Sequence, residues 1–497
     1  MAVAKVMGIE TEYGIVVTGS PDANPIQSSS LLVNSYVQTL GRAPSSRVSW
    51  DFDDEMPGND ARGWAVGGSM PPEVETHLVN AVLTNGARFY VDHAHPEYSS
   101  PECRDALSAT LFDAAGERVM LAAMAAARQV LPGNQEVVVY KNNSDGKGNS
   151  YGTHENYLMD RRLPFLQIVN HLMPFFVTRQ IFCGAGKVGC ELPGVHSVDF
   201  QITQRADFFE EEVGLETTLK RPIINTRDEP HSDSQRYRRL HVIVGDANMS
   251  QTATYLKLGT TAIVLSMIED GAMSKQLSIV DPVRMLRMVS HDPTLRQSVE
   301  LYDGRSITAL DLQWEYLALA RDWAAMHGLE SVGEEVGKDI LVRWETVLSG
   351  LETDPISVAD TVDWIAKKRL IDGFRDRHSC EPDDARLRVI DLQYHDIRPA
   401  KSLATRAGLA TILSSDAVDE AVTEPPHDTR AYFRGKCLQK FASSIAAANW
   451  DSLVFDLGVD PLRRVPMMEP LRGTAEMVGR LIEECTTARE LLAKLGA

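Results

Sequence analysis

The chain has 497 residues, of which 43% are hydrophobic and 24% are charged, as in a soluble globular protein with room for more than one domain. Its formal net charge of −19 disfavours non-specific binding to nucleic acid or to anionic membrane surfaces. The most apolar helical run, residues 119–131, contains Arg128 and is shorter than the roughly 20 residues that a membrane span needs. We therefore expect a cytoplasmic protein that binds neither nucleic acid nor membranes.

Cysteine usage excludes two further classes of site. The six cysteines form no C-x-x-C pair, so neither a zinc knuckle nor a dithiol redox motif is indicated. Sparse, unpatterned cysteine is typical of a reducing compartment. The first residues, MAVAKVMGIETEYG, lack the apolar stretch of a signal peptide.

The first half of the chain is predicted to be rich in strands and the second half in helices. Strand-like runs occur at residues 5–17, 86–92, 135–143, 196–204 and 238–246. One helical pattern runs from Ser250, a candidate N-cap, to Gly271. A second ends at Gly328, and two more lie at 332–349 and 357–377. Strands followed by helices predict an α+β fold and not a βαβ alternation.

Two irregular segments predict the domain organisation. Residues 41–74 are rich in Gly, Pro, Ser and Asp, which is typical of either a disordered insertion or a functional flap. Residues 423–430, TEPPHDTR, contain a double proline and indicate a boundary. We expect a catalytic domain at 1–424, carrying the insertion at 41–74, and a small C-terminal domain at 425–497.

The stretch GARFYVDHAHPEYSSPE, residues 86–102, carries more ionisable side chains than a strand requires. Side chains alternate along a strand, so Arg88, Tyr90 and Asp92 should share one face, with Phe89 and Val91 on the other. A solvated face of an antiparallel sheet would explain the polar trio without any function. That explanation weakens because acidic residues recur in the same alternation elsewhere.

These acidic residues predict a metal site. Glu10 and Glu12 alternate onto one strand face, where two carboxylates repel each other unless a cation lies between them. Glu97 and Glu102 add carboxylates from a second segment. Oxygen ligands with no cysteine and few histidines suit Mg²⁺ better than Zn²⁺.

Residues 140–158, YKNNSDGKGNSYGTHENYL, enter a glycine-rich loop and return with His154 and Asn156 on one predicted face. A plain hairpin with a glycine-rich turn explains the pattern equally well. We nevertheless include His154 among the candidate metal ligands on chemical grounds.

A basic stretch at residues 221–241 predicts anion binding in an otherwise acidic chain. Arginine makes bidentate contacts with phosphate or carboxylate. Surface ion pairs explain any one of these residues, but the cluster favours an anion site. Its members are Arg221, Arg227, Arg238, Arg239 and His241. Because the chain has neither a GxxxxGK[ST] loop nor a GxGxxG turn after a strand, metal and side chains would have to hold any nucleotide.

Seven long motifs together resemble the Pup ligase/deamidase family: MGIETEYGI, NGARFYVD…HPEY…EC, KNNSDGKGNSYGTHENYL, RQIFCGAGKV, RPIINTRDEPH, YRRLHVIVGDANMS and LDLQYHDI. The resemblance implies an α+β fold, in which a large glutamine-synthetase-like domain with a curved antiparallel sheet packed by helices is joined to a small C-terminal domain. The ligase branch lacks an insertion such as residues 41–74, so the chain is similar to the deamidase branch.

The resemblance implies an enzyme that acts on Pup, the prokaryotic ubiquitin-like protein. It would hydrolyse the C-terminal Gln carboxamide of Pup to Glu and cleave the isopeptide bond between Pup and substrate lysines, with ATP (or ADP) and Mg²⁺ bound. The alternative is the Pup–protein ligase, which forms that bond at the expense of ATP. A non-enzymatic Pup-binding adaptor would not need Asp92 beside the acidic residues, and a small-molecule amine ligase would lack the long motifs.

Site residues follow position by position from the resemblance. Asp92 matches the catalytic aspartate, while Arg88, Ser100 and Trp450 match nucleotide-contacting positions. Metal-binding positions match Glu10, Tyr90 and Glu97. Chemistry alone adds Glu12 and His154 to the metal ligands, and Arg221 and Arg227 to the cofactor-binding residues.

Two roles for Asp92 stay open at this stage. An ionised carboxylate attacks the amide carbonyl directly, or it takes a proton from water. An ordinary aspartate pKa of about 4 makes a weak base at neutral pH, which favours the nucleophile. Because Pup in this family is acidic and disordered, we also expect a basic track for it, with Arg205, Arg238 and Arg239 as candidates. The insertion at 41–74 is expected to cover the site.

Overall fold

The structure, a computed structural model, describes residues 1–20, 22–41, 48–52, 55–63, 79–191 and 198–496. Most of the predicted insertion at 41–74 lies outside these residues. The strands are β1 (Met7–Glu12), β2 (Gly14–Thr18), β3 (Ser49–Trp50), β4 (Asn80–Val82), β5 (Arg88–Asp92), β6 (His95–Ser99), β7 (Glu136–Tyr140), β8 (Thr153–Asp160), β9 (Lys187–Val188), β10 (Phe200–Gln201), β11 (Phe209–Gly214), β12 (Arg221–Asn225), β13 (Tyr237–Val242), β14 (Ser298–Glu300), β15 (Ser306–Thr308), β16 (Ile445–Ala448), β17 (Ser452–Phe455) and β18 (Arg463–Pro466).

The described α-helices are α1 (Pro25–Thr39), α2 (Ala106–Arg128), α3 (Phe165–Cys183), α4 (Gln251–Glu269), α5 (Pro282–Ser290), α6 (Ala309–His327), α7 (Glu334–Thr353), α8 (Asp363–His378), α9 (Ala385–Tyr394), α10 (Leu403–Ala407), α11 (Ser415–Ala421), α12 (Ala431–Phe441), α13 (Ala475–Glu484) and α14 (Ala488–Leu495). Among the described residues, no helix has both the length and the apolar character to cross a membrane.

A six-stranded antiparallel sheet organises the molecule, with strand order β13–β8–β1–β6–β5–β4. In β5, Phe89 and Val91 are buried in an apolar cluster that includes Leu32 of α1 and Val119 of α2. Fully burying a side chain such as phenylalanine stabilises the fold by about 1.5–3 kcal/mol, which fixes the face that β5 presents. The predicted alternation in β5 is therefore confirmed.

The largest core cluster lies among the long helices. Helix α4 is buried on nearly all its faces, as expected for a helix that is apolar all round. The ring of Phe175 in α3 lies 5.2 Å from that of Tyr316 and 6.2 Å from that of Trp344, both in edge-to-face contact. The predicted cap of α4 is confirmed, since the side chain of Ser250 accepts a hydrogen bond from the backbone of Ala253. The α+β class is confirmed.

A four-stranded sheet, β18–β17–β16–β3, packs in a third apolar cluster near the C-terminus. Its strand β3 comes from within residues 41–74 and pairs in parallel with β16. Trp50 of β3 packs in the same cluster as Phe433 of α12 and Leu491 of α14. A piece of the predicted insertion is thus joined to the C-terminal residues, while the division at 424/425 remains a prediction.

Two local predictions are corrected. The alternative of a plain hairpin at residues 140–158 fits only the loop, which closes through an antiparallel bridge between Ser144 and Ser150, because β7 pairs with β2 whereas β8 pairs with β1 and β13. Of the strand predicted at 196–204, the described part forms only the short β10, Phe200–Gln201, and the chain then turns into a buried loop.

Candidate functional site

The register of the six-stranded sheet brings the predicted polar side chains together. Glu10 lies opposite both Ser99 of β6 and His154 of β8. Two residues further along β1, Glu12 lies opposite Glu97 of β6, which in turn lies opposite Tyr90 of β5. Because opposite residues in an antiparallel pair have neighbouring side chains, this register gathers carboxylates from three strands on one face.

The first group of potential metal ligands comprises Glu10, His154 and His241, whose ligand atoms all lie within 4.8 Å of one another. Asn156 organises it by donating to Glu10 at 2.8 Å while its Oδ1 lies 3.0 Å from Nδ1 of His241. Burial and the charge of Arg239 hold the pKa of His241 well below its usual range. A neutral His241 that donates from Nδ1 to Asn156 keeps an Nε2 lone pair for a cation.

The second group comprises Glu12, Asp92 and Glu97, with ligand atoms again within 4.8 Å. The hydroxyl of Tyr90 donates to Glu97 at 2.5 Å. Burial, followed by the charges of Asp92 and Glu12, raises the pKa of Glu97 well above its usual value. The three carboxylates converge and destabilise one another's negative charge, which a bound cation would relieve. Because the group offers only oxygen ligands, it fits a hard divalent cation such as Mg²⁺.

Gly152 makes room for both groups. Its backbone N–H donates to Oε1 of Glu12 at 2.8 Å. A Cβ atom at this position would lie 2.1 Å from Nε2 of His154, well inside van der Waals contact. The glycine-rich loop noted in the sequence therefore has a steric role at the site.

A first cleft, here called the Trp450 cleft, opens beside Glu10 and has about 580 Å³ of space, including part open to solvent. Its wall includes Ser100, Arg239, Arg430 and Trp450. The hydroxyl oxygen of Ser100 accepts a hydrogen bond from the backbone of Ile9 at 3.0 Å, which ties β1 to the loop after β6.

A second cleft, the central cleft, continues from Glu10 and is lined by Arg88, Arg227 and Asp92 among others. The guanidinium of Arg88 stacks between the rings of Trp50 and Tyr90, 4.0 Å and 3.8 Å from their centroids. Arg227 has a buried Nε without a hydrogen-bond partner in the described structure. Such an orphaned donor in an open cleft indicates room for an anion.

A third cleft, the Arg221 cleft, shares Asp92 and His154 with the central cleft and adds Arg205 and Arg221. Asp92 is the most accessible carboxylate of its group, with 31% of its side chain exposed against 11% for Glu12. Nδ1 of His93 lies 3.0 Å from the Asp92 carboxylate. Burial raises the pKa of Asp92, but the hydrogen bond and charge of His93 outweigh it, and the pKa is lowered overall.

Comparison with known proteins decides the family. The sequence profile described as "Pup-ligase protein" matches residues 5–454. This chain belongs to the Pup-ligase family. It is 53% identical to a depupylase of Acidothermus cellulolyticus over 99% of both chains, and 49% identical to a Pup deamidase/depupylase of Mycobacterium tuberculosis, again over 99% of both. A Pup–protein ligase of Nakamurella multipartita is 38% identical over 96% of this chain and 99% of the ligase.

The fold of this chain resembles solved structures of the same family. The complex of Pup with its ligase PafA has a TM-score of 0.80 at 31% identity, covering 97% of this chain and 91% of the ligase. PafA in complex with ADP has a TM-score of 0.73 at 34% identity, covering 81% and 89%.

In this Pup-ligase family member the predicted site residues do not all lie together. The basic cluster divides: Arg227 and His241 line the central cleft, Arg239 lines the Trp450 cleft, and Arg221 lines only the Arg221 cleft. Arg238 lies in none of the three, because it alternates onto the opposite face of β13 and packs over Phe165. Arg205, Arg238 and Arg239 therefore form no continuous track.

Glu102 also departs from the metal expectation. Its carboxylate accepts hydrogen bonds from Arg430, at 2.7 Å, and from Arg434. It lies in neither of the two metal-ligand groups. Its place is in the wall of the Trp450 cleft, where it joins the main sheet to α12.

Sequence reasoning placed His241 in an anion cluster and missed its position beside Glu10 and His154. The available signal was the two-residue period of β13, which puts His241 and Arg239 on one face. Glu55 was also missed; it lines the central cleft, accepts a hydrogen bond from Trp50 at 2.6 Å, and comes from the segment 41–74.

Proposed function

We propose that this chain is a Pup deamidase and depupylase. It hydrolyses the C-terminal Gln carboxamide of Pup to Glu and the isopeptide bond that joins Pup to a lysine. The relatives named for these activities are 48–53% identical to the chain, while the relatives named as ligases are 38–40% identical. The observation that carries the chemistry is the position of Asp92, an accessible carboxylate at the junction of two clefts.

A nucleotide, ATP or ADP, is proposed as a bound cofactor. Trp450 offers a flat face for the base in the first cleft, and Arg88 and Arg227 offer donors for phosphates in the central cleft. Ser100 shapes the first cleft by fixing β1. A relative of known structure was solved with ADP, which supports this assignment.

Mg²⁺ is proposed at the two acidic groups. Glu12 and Glu97 would hold it in the second group, with Tyr90 orienting Glu97, and Glu10 with His154 and His241 would hold it in the first. When bound, Mg²⁺ neutralises the clustered carboxylates and polarises oxygen atoms that contact it. The oxygen-only second group fits this cation better than the group with two imidazoles.

The proposed chemistry is attack on an unreactive amide. Burial of Asp92 would raise its pKa, but the hydrogen bond and charge of His93 outweigh this, so Asp92 stays ionised at neutral pH and its oxygen adds to the carbonyl carbon. The nitrogen takes a proton from solvent as the carbon–nitrogen bond breaks and the amine leaves. Water then opens the resulting anhydride, which releases the glutamate carboxylate and regenerates Asp92. In the alternative, Asp92 takes a proton from the attacking water. This route is less favourable, because a carboxylate with a low pKa is a weak base at neutral pH.

The test compares Asp92→Asn with the unaltered chain on two substrates, glutamine-ended Pup and a Pup–protein conjugate, in the presence of ATP and Mg²⁺. Both activities should fall by at least about 10²-fold, because the variant lacks an ionised oxygen at the reacting carbon. Asp322→Asn, on the exposed face of α6, is the matched control and should behave as wild type.

Two outcomes would contradict the proposal. Retained hydrolysis by Asp92→Asn would remove Asp92 from the reaction. Formation of lysine conjugates with stoichiometric release of ADP would instead identify a ligase.

We also propose that residues 41–74 limit access to the site. Trp50 and Glu55 support this, since the first covers Arg88 and the second lines the central cleft. Removing residues 64–74, which keeps Trp50 and Glu55 in the chain, should change turnover and nucleotide exchange. Unchanged kinetics would dismiss the idea.

A further inference from the structure

His395 is a fully buried histidine that lies in the wall of none of the three clefts. It follows α9 in the motif LDLQYHDI, to which the proposed function assigns no role. Its Nδ1 lies 2.7 Å from the carbonyl oxygen of Lys141, and its Nε2 lies 2.7 Å from Nζ of Lys367 and 2.6 Å from Nε2 of Gln204. Both ring nitrogens are therefore engaged within the protein.

The partners of His395 fix its tautomer. The ammonium of Lys367, which is paired with Asp391 at 2.6 Å and also donates to the carbonyl of Gly186 at 2.6 Å, has donors only. Nε2 of His395 must therefore be an acceptor, and Nδ1 carries the proton that is donated to Lys141. Burial, followed by the charge of Lys367, holds the pKa of His395 well below its usual range, which agrees with a neutral ring.

Gln204 connects His395 to the start of the glycine-rich loop. Its amide nitrogen faces His395, and its Oε1 accepts the backbone N–H of Asn143 at 2.6 Å. The amide cannot be turned round, since its NH₂ group would then face another donor, the N–H of Asn143. The backbone of Lys141 supports the same contact, because its N–H donates to the carbonyl of His395 at 2.9 Å.

Asn143, which is fully buried, closes the base of that loop. Its Nδ2 donates to the carbonyl of Tyr151 at 3.2 Å and to the hydroxyl of Thr153 at 3.3 Å. Its carbonyl accepts the N–H of Tyr151 at 3.2 Å, and its Oδ1 accepts the N–H of Ala247 at 2.6 Å. Because every polar group of Asn143 is hydrogen-bonded, a shift of its backbone would also move Tyr151.

The end of the loop holds Glu12, a member of the second metal-ligand group. The N–H of Gly152 donates to Oε1 of Glu12 at 2.8 Å, and the N–H of Glu12 donates to the carbonyl of Gly152 at 3.0 Å. The ring of Tyr151 lies 4.2 Å from that of His95, whose Nδ1 is 3.4 Å from Oε2 of Glu12. Both carboxylate oxygens of Glu12 are thus placed by the loop end or by a ring packed against it.

We propose that His395 is a positioning residue for the second metal-ligand group, because through Gln204 and Asn143 it fixes the loop end that orients Glu12. The inference rests on the proposed binding of Mg²⁺ at that group. A ligand that is already held by hydrogen bonds loses less conformational freedom when a cation binds, so loss of its support lowers metal affinity. A purely structural role for His395 would change the free energy of unfolding and leave the cation affinity of the folded protein unchanged.

The test is a titration of the full chain with Mn²⁺, followed by electron paramagnetic resonance, at a temperature where circular dichroism shows each variant to be folded. No nucleotide is added, so the protein supplies the ligands. His395→Leu and Gln204→Leu each remove one link, and each should weaken Mn²⁺ binding roughly tenfold. Gln393→Ala, on the exposed side of α9, is the matched control and should bind Mn²⁺ as wild type does.

The double variant distinguishes one chain of contacts from two separate defects. If His395 and Gln204 act through the same chain, the double variant should bind Mn²⁺ within about threefold of the weaker single variant, whereas independent defects would multiply to about 10²-fold. Multiplied effects, or wild-type affinity in either folded single variant, would overturn the positioning role. If His395→Leu does not fold, the affinity of Gln204→Leu decides alone. Absence of Mn²⁺ binding by wild type would overturn the proposed metal site, and this inference with it.

Discussion

Glu102 anchors the C-terminal residues to the main sheet, and its replacement by glutamine should destabilise the protein measurably. The carboxylate receives Nε of Arg430 at 2.7 Å and Nη1 of Arg434 at 3.2 Å. The side chains of the two arginines are 4% and 0% exposed. Glutamine would keep the size of the side chain but leave two buried cations without a counter-charge.

The magnitude follows from the pKa of Glu102. Burial alone would raise it, but the charges of Arg434 and Arg430 lower it from 4.5 to about 2. At 1.36 kcal/mol per pKa unit, a shift of about two units corresponds to about 3 kcal/mol of stability. Breaking buried ion pairs costs about 3–5 kcal/mol in general, which agrees.

The pH dependence has a definite sign. Because the folded-state pKa of Glu102 is depressed, its contribution is complete above the unfolded-state pKa and is lost as the pH falls toward the folded-state value of about 2. The difference in stability between wild type and Glu102→Gln should therefore be constant near neutrality and shrink below about pH 4.5.

Urea unfolding followed by tryptophan fluorescence is a suitable assay, since the ring of Trp450 lies 5.2 Å from the Arg434 guanidinium. Glu484→Gln is the matched control, because its partner Arg480 is 91% exposed and Glu484 itself 50%. That exposed pair should contribute less than about 1 kcal/mol. The reasoning is refuted if Glu102→Gln destabilises no more than Glu484→Gln, or if its effect is unchanged near pH 2.

Three further predictions concern the clefts. His241→Ala should weaken binding of Mn²⁺, used as a spectroscopic substitute for Mg²⁺, by at least about tenfold in a titration, whereas the exposed His378→Ala should not. Trp450→Ala should weaken ADP binding by roughly tenfold in calorimetry through loss of stacking on the base, and equal affinity would show that the base binds elsewhere. Gly152→Ala should displace His154 and lower both Mn²⁺ affinity and deamidation; a fully active variant would show that the imidazole position is unimportant.

Features encoded by local periodicity could be predicted from the sequence. The alternation in β5 alone separates Arg88, Tyr90 and Asp92 from the buried Phe89 and Val91. The same rule, applied to β13, would have placed Arg238 and Arg239 on opposite faces of the strand. Grouping them as one basic cluster was an error, because residues that are adjacent in a strand point in opposite directions.

Features encoded by strand order could not be predicted. His241 meets Glu10 because β8 lies between β13 and β1, and no local pattern specifies that neighbourhood. The partners of Glu102 belong to a segment near the other end of the chain, so its carboxylate looked like one more metal ligand. Likewise, the Gly, Pro and Ser residues around Trp50 are typical of a loop, so the short strand β3, which pairs with β16, could not be predicted.

The order of the three clefts follows from the residues they share. Glu10 lines the Trp450 cleft and the central cleft, and Asp92 lines the central cleft and the Arg221 cleft. A nucleotide bound as proposed, with its base at Trp450, would therefore extend its phosphates toward Asp92. This arrangement serves transfer of a phosphoryl group as well as hydrolysis, so the acidic groups alone do not select between a ligase and an amidase. Under the proposed function, selection would depend on what reaches Asp92. Within the described part of residues 41–74, Trp50 stacks on Arg88 and Glu55 lines the central cleft, so these two side chains are the ones we propose to act on access.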